Sequence, residues 1–184
     1  MRVLASLLLA GSLAACSTPL GDALDTRQNA GPCPPAGALY DAARIIQFGD
    51  GSETYDNIAY TGEIVDVRLF CRYADGEPMD VEVEIDFAFG KGAVGTANTH
   101  AYTYFVAVTR RNAKVLNKER FAIQADFSER PVTGGTTVIR PITVPRADET
   151  ISGANFEIVV GFELTEDQLE FNRAGNRFRL DAGR

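Results

Sequence analysis

Residues that commonly perform catalysis are few in this sequence, and their spacing matches no familiar catalytic motif. His100 is the single histidine, and the chain contains neither a GxSxG nucleophile motif nor an HExxH zinc motif. A pair of carboxylates can hydrolyse a glycosidic bond, but only at a separation in space that a sequence does not reveal. The chain is therefore predicted to be noncatalytic and to need no cofactor, with a hydrolase as the third choice of function.

Three glycines have a spacing that occurs in nucleotide sites. Gly90, Gly92 and Gly95 form a GxGxxG pattern after a predicted strand. In dinucleotide-binding proteins a helix comes next, and its N-terminal amides bind the pyrophosphate. Here the next run, THAYTYFVAVT, has the alternation of another strand. The glycines therefore predict a hairpin loop instead of a nucleotide site.

Acidic residues cluster in two places where a cation could bind. One set lies on one face of a predicted strand at spacings of about 7 Å: Asp80, Glu82, Glu84 and Asp86. Calcium sites need ligands that converge from a bent loop, so this row predicts a solvated face that discourages aggregation. The second set lies in the loop GDGSETYDN: Asp50, Ser52, Glu53 and Asp56. Its spacing is not that of an EF-hand, and no metal site is predicted.

Basic residues are concentrated in the segment TRRNAKVLNKER, where only Glu119 opposes them. We predict a hairpin tip there that contacts anionic lipid, phosphorylated lipid A or an acidic partner, formed by Arg110, Arg111, Lys114, Lys118 and Arg120. The alternative is pairing across strands with the acidic row, which needs no ligand. A second basic cluster near the C-terminus, Arg173, Arg177 and Arg179, also has the simpler interpretation of a salt-bridged edge. The formal net charge of −7 makes nucleic acid an unsuitable partner.

The N-terminal residues MRVLASLLLAGSLAACST have the order of a signal peptide. Arg2 precedes the apolar run Val3–Ala15, which is shorter than the ~20 residues needed to span a bilayer. Leu13-Ala14-Ala15-Cys16 resembles the lipobox of bacterial lipoproteins. The resemblance implies that residues 1–15 are removed and that Cys16 carries the lipid, whereas the alternative is an ordinary secretory signal. Ser17 in place of an aspartate implies the outer membrane, with the domain on its periplasmic face.

With Cys16 lipidated, the remaining cysteines are Cys33 and Cys71, and in an oxidising periplasm they are predicted to form a disulfide. The alternative is two buried free thiols. Residues 16–38 are rich in proline, glycine and small polar residues, which predicts a flexible tether. Between Cys16 and Cys33 such a coil would span roughly 20 to 25 Å.

Beyond the tether the dominant hydrophobic period is two. MDVEVEIDFAF and NFEIVVGFEL show this period, and six further segments are predicted strands: 41–48, 58–73, 102–109, 115–127, 137–144 and 176–180. Gly134-Gly135 is predicted to form a turn before the segment 137–144. LTEDQLEFNRAG carries a capping-box spacing at Thr165 and Gln168 and predicts one short C-terminal helix closed at Gly175. Residues 39–184 are therefore predicted to form an all-β, antiparallel β-sandwich of the immunoglobulin-like class, with its strand topology left open.

The run SGANFEIVVGFELTEDQLEFNRAGNRFRLDAG resembles uncharacterised envelope lipoproteins of alphaproteobacteria. The resemblance implies an envelope role and brings no site residues with it. The predicted function is an outer-membrane-anchored lipoprotein that acts as a noncatalytic protein-binding or envelope-assembly module with an envelope protein as partner. The alternative is a ligand-binding lipoprotein for a small molecule, a cation or an envelope glycan. The oligomeric state is left open.

Overall fold

The computed structural model describes residues 31–50, 52–73, 78–111, 114–146 and 151–178. Its strands are β1 (Ala36–Ala38), β2 (Arg44–Phe48), β3 (Ile58–Arg72), β4 (Met79–Lys91), β5 (Thr99–Arg110), β6 (Lys114–Asp126), β7 (Val132–Val144) and β8 (Phe156–Phe162), followed by helix α1 (Glu166–Arg173). Short 3-10 helices lie at Tyr40–Ala42, Tyr55–Asn57 and Gly153–Asn155. The predicted all-β sandwich with one short C-terminal helix is confirmed.

The strands form two four-stranded sheets. Sheet 1 has the order β1-β8-β5-β6, and sheet 2 has the order β2-β3-β4-β7. Neighbours pair antiparallel except β1 and β8, which are parallel. The chain changes sheets four times: between β1 and β2, between β4 and β5, between β6 and β7, and between β7 and β8. Each sheet therefore ends in two edge strands, β1 and β6 in sheet 1 and β2 and β7 in sheet 2.

The core lies between the sheets and follows from the alternation of β4. Val83 and Ile85 are fully buried, whereas Asp80 on the other face of β4 is exposed. Across the core, the ring centroids of Phe87 and Tyr104 of β5 are 5.0 Å apart. Full burial of one such apolar side chain stabilises a fold by roughly 1.5 to 3 kcal/mol, so this row alone makes a large contribution.

Helix α1 covers one edge of sheet 2. The predicted capping box is present, since the Thr165 hydroxyl accepts from the Gln168 amide N–H and the Gln168 side chain accepts from the Thr165 amide N–H. Phe171 packs against a small cluster that includes Ile46 and Ile58. Gly175, with φ of +80°, follows the helix in the left-handed conformation that glycine adopts without strain. In the described parts of the chain, no helix is long and apolar enough to cross a bilayer.

The predicted tether, residues 16–38, extends too far. Ala36–Ala38 form β1, where Ala36 lies opposite Ile158 of β8, and the Ile158 amide donates to the Pro35 carbonyl oxygen at 2.9 Å. The folded domain therefore begins before residue 39. Backbone pairing with β8 decides this, and three small residues give no periodic signal for it. Residues 1–15 and Cys16 lie outside the described residues.

Three predicted strands also differ from the structure. The segment 41–48 begins its strand only at Arg44, because Tyr40–Ala42 form a 3-10 helix. The strand predicted at 137–144 starts earlier, at Val132. The strand predicted at 176–180 is wrong for residues 176–178, where Phe178 packs against Phe48 with ring centroids 6.4 Å apart. Residues 179 and 180 lie outside the described residues.

Cys33 and Cys71 are joined in a disulfide with their Cα atoms 5.7 Å apart. The bond attaches the segment before β1 to the end of β3, so it links an edge of sheet 1 to sheet 2. Tyr73 reinforces the same junction. Its hydroxyl donates to the Pro32 carbonyl oxygen at 2.8 Å and accepts from the Gly153 amide at 2.9 Å. The start of the folded domain is therefore fixed to both sheets.

Removal of this disulfide should lower the free energy of unfolding by about 3 to 4 kcal/mol, because the bond closes a loop over a sequence separation of 38. The measurement is denaturant unfolding of the full chain with and without a reductant. A Cys33→Ser, Cys71→Ser double variant should match the reduced protein and show no response to reductant. Equal midpoints for the oxidised and reduced chains would contradict the expectation.

Candidate functional site

The basic segment predicted as an interaction tip forms the β5–β6 hairpin, but its five cations have different surroundings. Lys118 and Arg120 are paired. The Lys118 Nζ atom lies 2.7 Å and the Arg120 Nε atom 3.0 Å from the same carboxylate oxygen of Glu163. The hydrogen bond from Lys118 is the largest cause that lowers the pKa of Glu163 below its usual range. Lys118 also lies 4.0 Å from the centre of the Phe105 ring.

The remaining three cations, Arg110, Arg111 and Lys114, are here called the basic tip. All three side chains are exposed. Arg110 lies opposite Lys114 in the β5–β6 backbone ladder, where the hairpin turns. The Arg111 Nε atom lies 3.9 Å from a carboxylate oxygen of Glu157, a distance at which an exposed pair contributes little. Within the part of the chain that the structure describes, Arg110 and Lys114 have no ion-pair partner. The tip therefore holds positive charge that the neighbouring protein leaves largely uncompensated.

The acidic row of β4 lies on sheet 2, whereas the basic hairpin belongs to sheet 1, so the two do not pair. Arg68 of β3 holds Asp86 at 2.8 Å and also binds Glu84. Arg140 of β7 holds Glu82 at 3.0 Å. A hydrogen bond from Thr136 and then one from Arg68 lower the pKa of Asp86. The row is thus a charge-paired outer face, and the hypothesis that it neutralises the basic hairpin is wrong.

Three of the four sheet edges are protected against pairing with another strand. β1 is only three residues long. The open carbonyl groups of β2 are occupied by α1, since the Asn172 side-chain amide donates to the Arg44 oxygen at 2.9 Å and that of Gln168 to the Ile46 oxygen at 3.1 Å. β6 carries charges along its length: Lys114, Lys118, Glu119, Arg120 and Asp126. Shortness, a covering element and edge charges are common ways to prevent edge-to-edge association.

The fourth edge, β7, has none of these protections over Val132–Ile139, which we call the open edge. This segment, VTGGTTVI, has no charged residue and no proline, and it pairs with β4 on one side only. Val132 and Val138 are 36% and 39% exposed. The register irregularity in the β4–β7 pairing lies beyond it, between the positions of Ile139 and Ile142. An uncharged strand edge of this kind presents unpaired backbone donors and acceptors to solvent.

The open edge is not expected from the sequence, because Gly134-Gly135 predicts a turn. That prediction is wrong, since Gly134 lies opposite Ala88 and Gly135 opposite Phe87 in the β4–β7 ladder. The signal that could have found the strand is the β-branched content of the segment, which is high on both sides of the glycines.

The GxGxxG glycines have a packing role. A Cβ atom on Gly92 would lie 2.0 Å from the carbonyl oxygen of Ile58, and one on Gly95 would lie 2.5 Å from that of Ala59. The segment that follows them is strand β5 and not a helix. The predicted hairpin loop is wrong, because β4 and β5 belong to different sheets: Gly90 lies in β4, and Gly92 and Gly95 lie in the connection between the sheets. These two glycines are therefore required by the close approach of this turn to the start of β3.

In the second acidic cluster, in the loop GDGSETYDN, the side chain of Asp50 makes hydrogen bonds within the loop itself. One oxygen of Asp50 accepts hydrogen bonds from the Ser52 amide, at 3.0 Å, and from the Asn57 side chain. In the described ranges, no group of three or more histidine, cysteine, aspartate or glutamate side chains is arranged to hold a metal ion.

An open cleft of about 380 Å³ lies between α1 and β2, and its lining includes Phe48, Glu53 and Asp167.

His100 packs among aromatic rings at the end of the core. Its ring stacks on Tyr60 with centroids 4.1 Å apart and meets the edge of Tyr102 at 4.7 Å. The Nε2 atom is buried and has no hydrogen-bond partner within the described residues. Burial lowers the pKa of His100 below its ordinary value. The arrangement therefore stabilises the neutral imidazole.

The folded protein should lose stability as the pH falls from about 7.5 to about 5.5, because the unfolded chain then binds a proton that the partly buried His100 resists. The pKa values of Asp86, Asp126 and Glu163 are lowered, so these carboxylates stay ionised in this window. In a His100→Phe variant, which keeps an aromatic ring on Tyr60, the stability should change less over the same range. Denaturant unfolding at each pH measures both slopes, and identical slopes would contradict the assignment to His100.

A scan against protein-family models and searches of curated proteins and of solved structures find no match to this chain. Its function is therefore inferred from its own surfaces. Two of these surfaces are the open edge of β7, which pairs with β4 on one side only, and the basic tip of the β5–β6 hairpin, whose charge is only weakly compensated within the described part of the protein.

Proposed function

We propose that this chain is a lipoprotein anchored in the outer membrane by Cys16, that it faces the periplasm, and that it acts as a noncatalytic protein-binding module of the envelope. The observation that carries the proposal is the open edge, Val132–Ile139, on which an extended segment of an envelope protein adds a further strand to sheet 2. Strand addition of this kind obtains affinity from backbone hydrogen bonds and specificity from alternate side chains.

The side chains beside the open edge indicate what such a segment contains. On the outer face, Val132 and Val138 are partly exposed and uncharged. On the inner face, a Cβ on Gly135 would lie 3.7 Å from the Ile123 side chain of β6, and Ile139 packs against the core. An added strand would therefore place its inward side chains beside apolar groups and its outward ones beside valine and threonine. The expected partner segment is extended and uncharged, with apolar residues at alternate positions.

Two features support export and anchoring. The Cys33–Cys71 disulfide belongs to the kind of bond that persists in oxidising compartments such as the bacterial periplasm. The lipobox-like residues before Cys16 mark this cysteine for the lipid that forms the anchor, and a tethered domain meets a partner in the same membrane at a raised effective concentration. A stable module with one unprotected edge is suited to this arrangement, because weak strand addition then suffices for association.

The alternative function, a ligand-binding lipoprotein, is favoured by the cleft between α1 and β2. Its lining combines the aromatic side chains of Phe48 and Phe171 with the carboxylates of Glu53 and Asp167. Such a combination fits a small cation or a sugar better than an anionic ligand.

A Cys16→Ser substitution should release the protein from the membrane fraction, because the lipid attaches to that thiol in lipoproteins. Intact mass spectrometry of the two forms should show a lipid-sized difference, and membrane fractionation should show the loss of attachment. Retention of the variant in the membrane with no mass difference would contradict lipidation at this cysteine.

The open edge is tested with a photo-crosslinking amino acid at Thr136 of β7 in living cells. A specific crosslink to one envelope protein is expected there, and none at Thr103, an exposed position on the central strand β5. Val138→Lys should reduce the Thr136 crosslink about tenfold or more, because a lysine on an edge strand disfavours pairing with a further strand. Thr103→Lys is the matched control.

Val138→Lys is a suitable variant because position 138 faces solvent and lies opposite Glu84 in the ladder, so the new cation causes no repulsion within the sheet. Equal crosslinking in both lysine variants would contradict strand addition at β7. Unfolding midpoints of the two variants show whether each remains folded.

A further inference from the structure

The point where the chain leaves the folded domain lies beside the basic tip. The described chain begins at Gly31, and a Cβ on that glycine would be 3.1 Å from the Ser152 side chain. The Tyr73 hydroxyl connects the Pro32 carbonyl oxygen to the amide of Gly153, the first residue of the 3-10 helix Gly153–Asn155.

The last residue of the same 3-10 helix contacts the hairpin. The Arg111 amide donates to the Asn155 carbonyl oxygen at 2.9 Å, and Arg110 lies opposite Phe156 of β8. One helix of three residues thus contacts both the segment that leads to Cys16 and the tip of the β5–β6 hairpin. The Cys33–Cys71 disulfide fixes the exit of the chain at this end of the sandwich.

We propose that the basic tip, Arg110, Arg111 and Lys114, rests on the anionic phospholipid surface of the membrane in which the chain is anchored. This inference rests on the proposed function, because the lipid anchor is what brings this end of the domain to the membrane. A flexible coil between Cys16 and Cys33, as the sequence predicts, would span roughly 20 to 25 Å and would keep the hairpin within reach of the headgroups.

The hairpin has the composition of a membrane-surface contact. Next to its three cations, Val115 is 57% exposed, so charge and an apolar side chain occur together. Cations close to an anionic leaflet are attracted to it, and exposed apolar groups enter the boundary between headgroups and acyl chains. By contrast, Lys118 and Arg120 further along β6 are already held by Glu163.

The contact is expected to weaken with salt, because charges are screened beyond about 8 Å at physiological ionic strength.

The test measures how deeply each end of the domain lies in the membrane. The full chain is extracted from the host envelope, labelled with an environment-sensitive fluorophore at Val115→Cys, and reconstituted into vesicles. One vesicle type contains phosphatidylglycerol and phosphatidylcholine, the second only phosphatidylcholine, and a third sample holds free inorganic phosphate without vesicles. Val94→Cys carries the control label, because Val94 is 40% exposed in the turn at the opposite end of β5.

The expected result is a blue-shifted, brighter emission at position 115 in the phosphatidylglycerol vesicles alone, with no change at position 94. Replacing Arg110, Arg111 and Lys114 by glutamine should shift the docking equilibrium by on the order of a hundredfold and return the emission to its value in neutral vesicles. Lys118→Gln with Arg120→Gln is the matched control and should leave the shift in place.

No response at position 115, an equal response in neutral vesicles or with free phosphate, an equal response at position 94, or persistence in the triple variant would each overturn the proposal. The intact mass of the same sample reports the anchor separately. A chain without lipid whose label still responds would contradict the anchor alone. A lipid-modified chain whose label does not respond would contradict the contact of the tip alone.

Discussion

The contact between the apolar faces of the two sheets is the interaction on which every other feature of this protein depends. Each sheet has one apolar face, which the other sheet must cover, and β4 provides the clearest example with Val83 and Ile85 fully buried. Because the apolar side chains are used in this way, charged groups are left on the outer faces. The rows around Arg68 on sheet 2 and around Glu163 on sheet 1 are consequences of that division.

An open sandwich, unlike a closed barrel, leaves strand edges that must be managed. Here the four edge strands differ. β1 is short, side chains of α1 bind the open carbonyl groups of β2, and β6 carries charged residues. β7 has no charged residue and no proline over Val132–Ile139 and, among the described residues, no covering element. Protection of the other three makes the state of β7 informative, since an unprotected uncharged edge is an aggregation risk unless it has a use. A binding function gives a physical reason for such an edge to remain.

The junction around Tyr73 and the disulfide determines where the first described residues of the chain lie on the domain. Through Pro32, Gly153 and Cys33 it holds the exit of that chain against both sheets. The hairpin tip projects beside this exit, whereas the turn at Gly92–Gly95 lies at the far end of the strands. The open edge runs along the side of the sandwich between these two ends, so a membrane contact at the tip would leave it accessible to a partner.

The features that the sequence by itself determined are local ones. The alternation in β4 and β8 requires a half-buried strand, and the capping box at Thr165 and Gln168 starts a helix, because both effects act between residues close in the chain. The division of the basic hairpin into Lys118 and Arg120, which are held by Glu163, and a largely uncompensated tip was decided only by the tertiary structure, since Glu163 reaches these two cations through the placement of β8 beside β5. The same holds for the strand at Gly134-Gly135, a local turn signal that pairing with Phe87 and Ala88 overrides. Which edge stays open depends on strand order, and strand order comes from contacts between residues far apart in sequence.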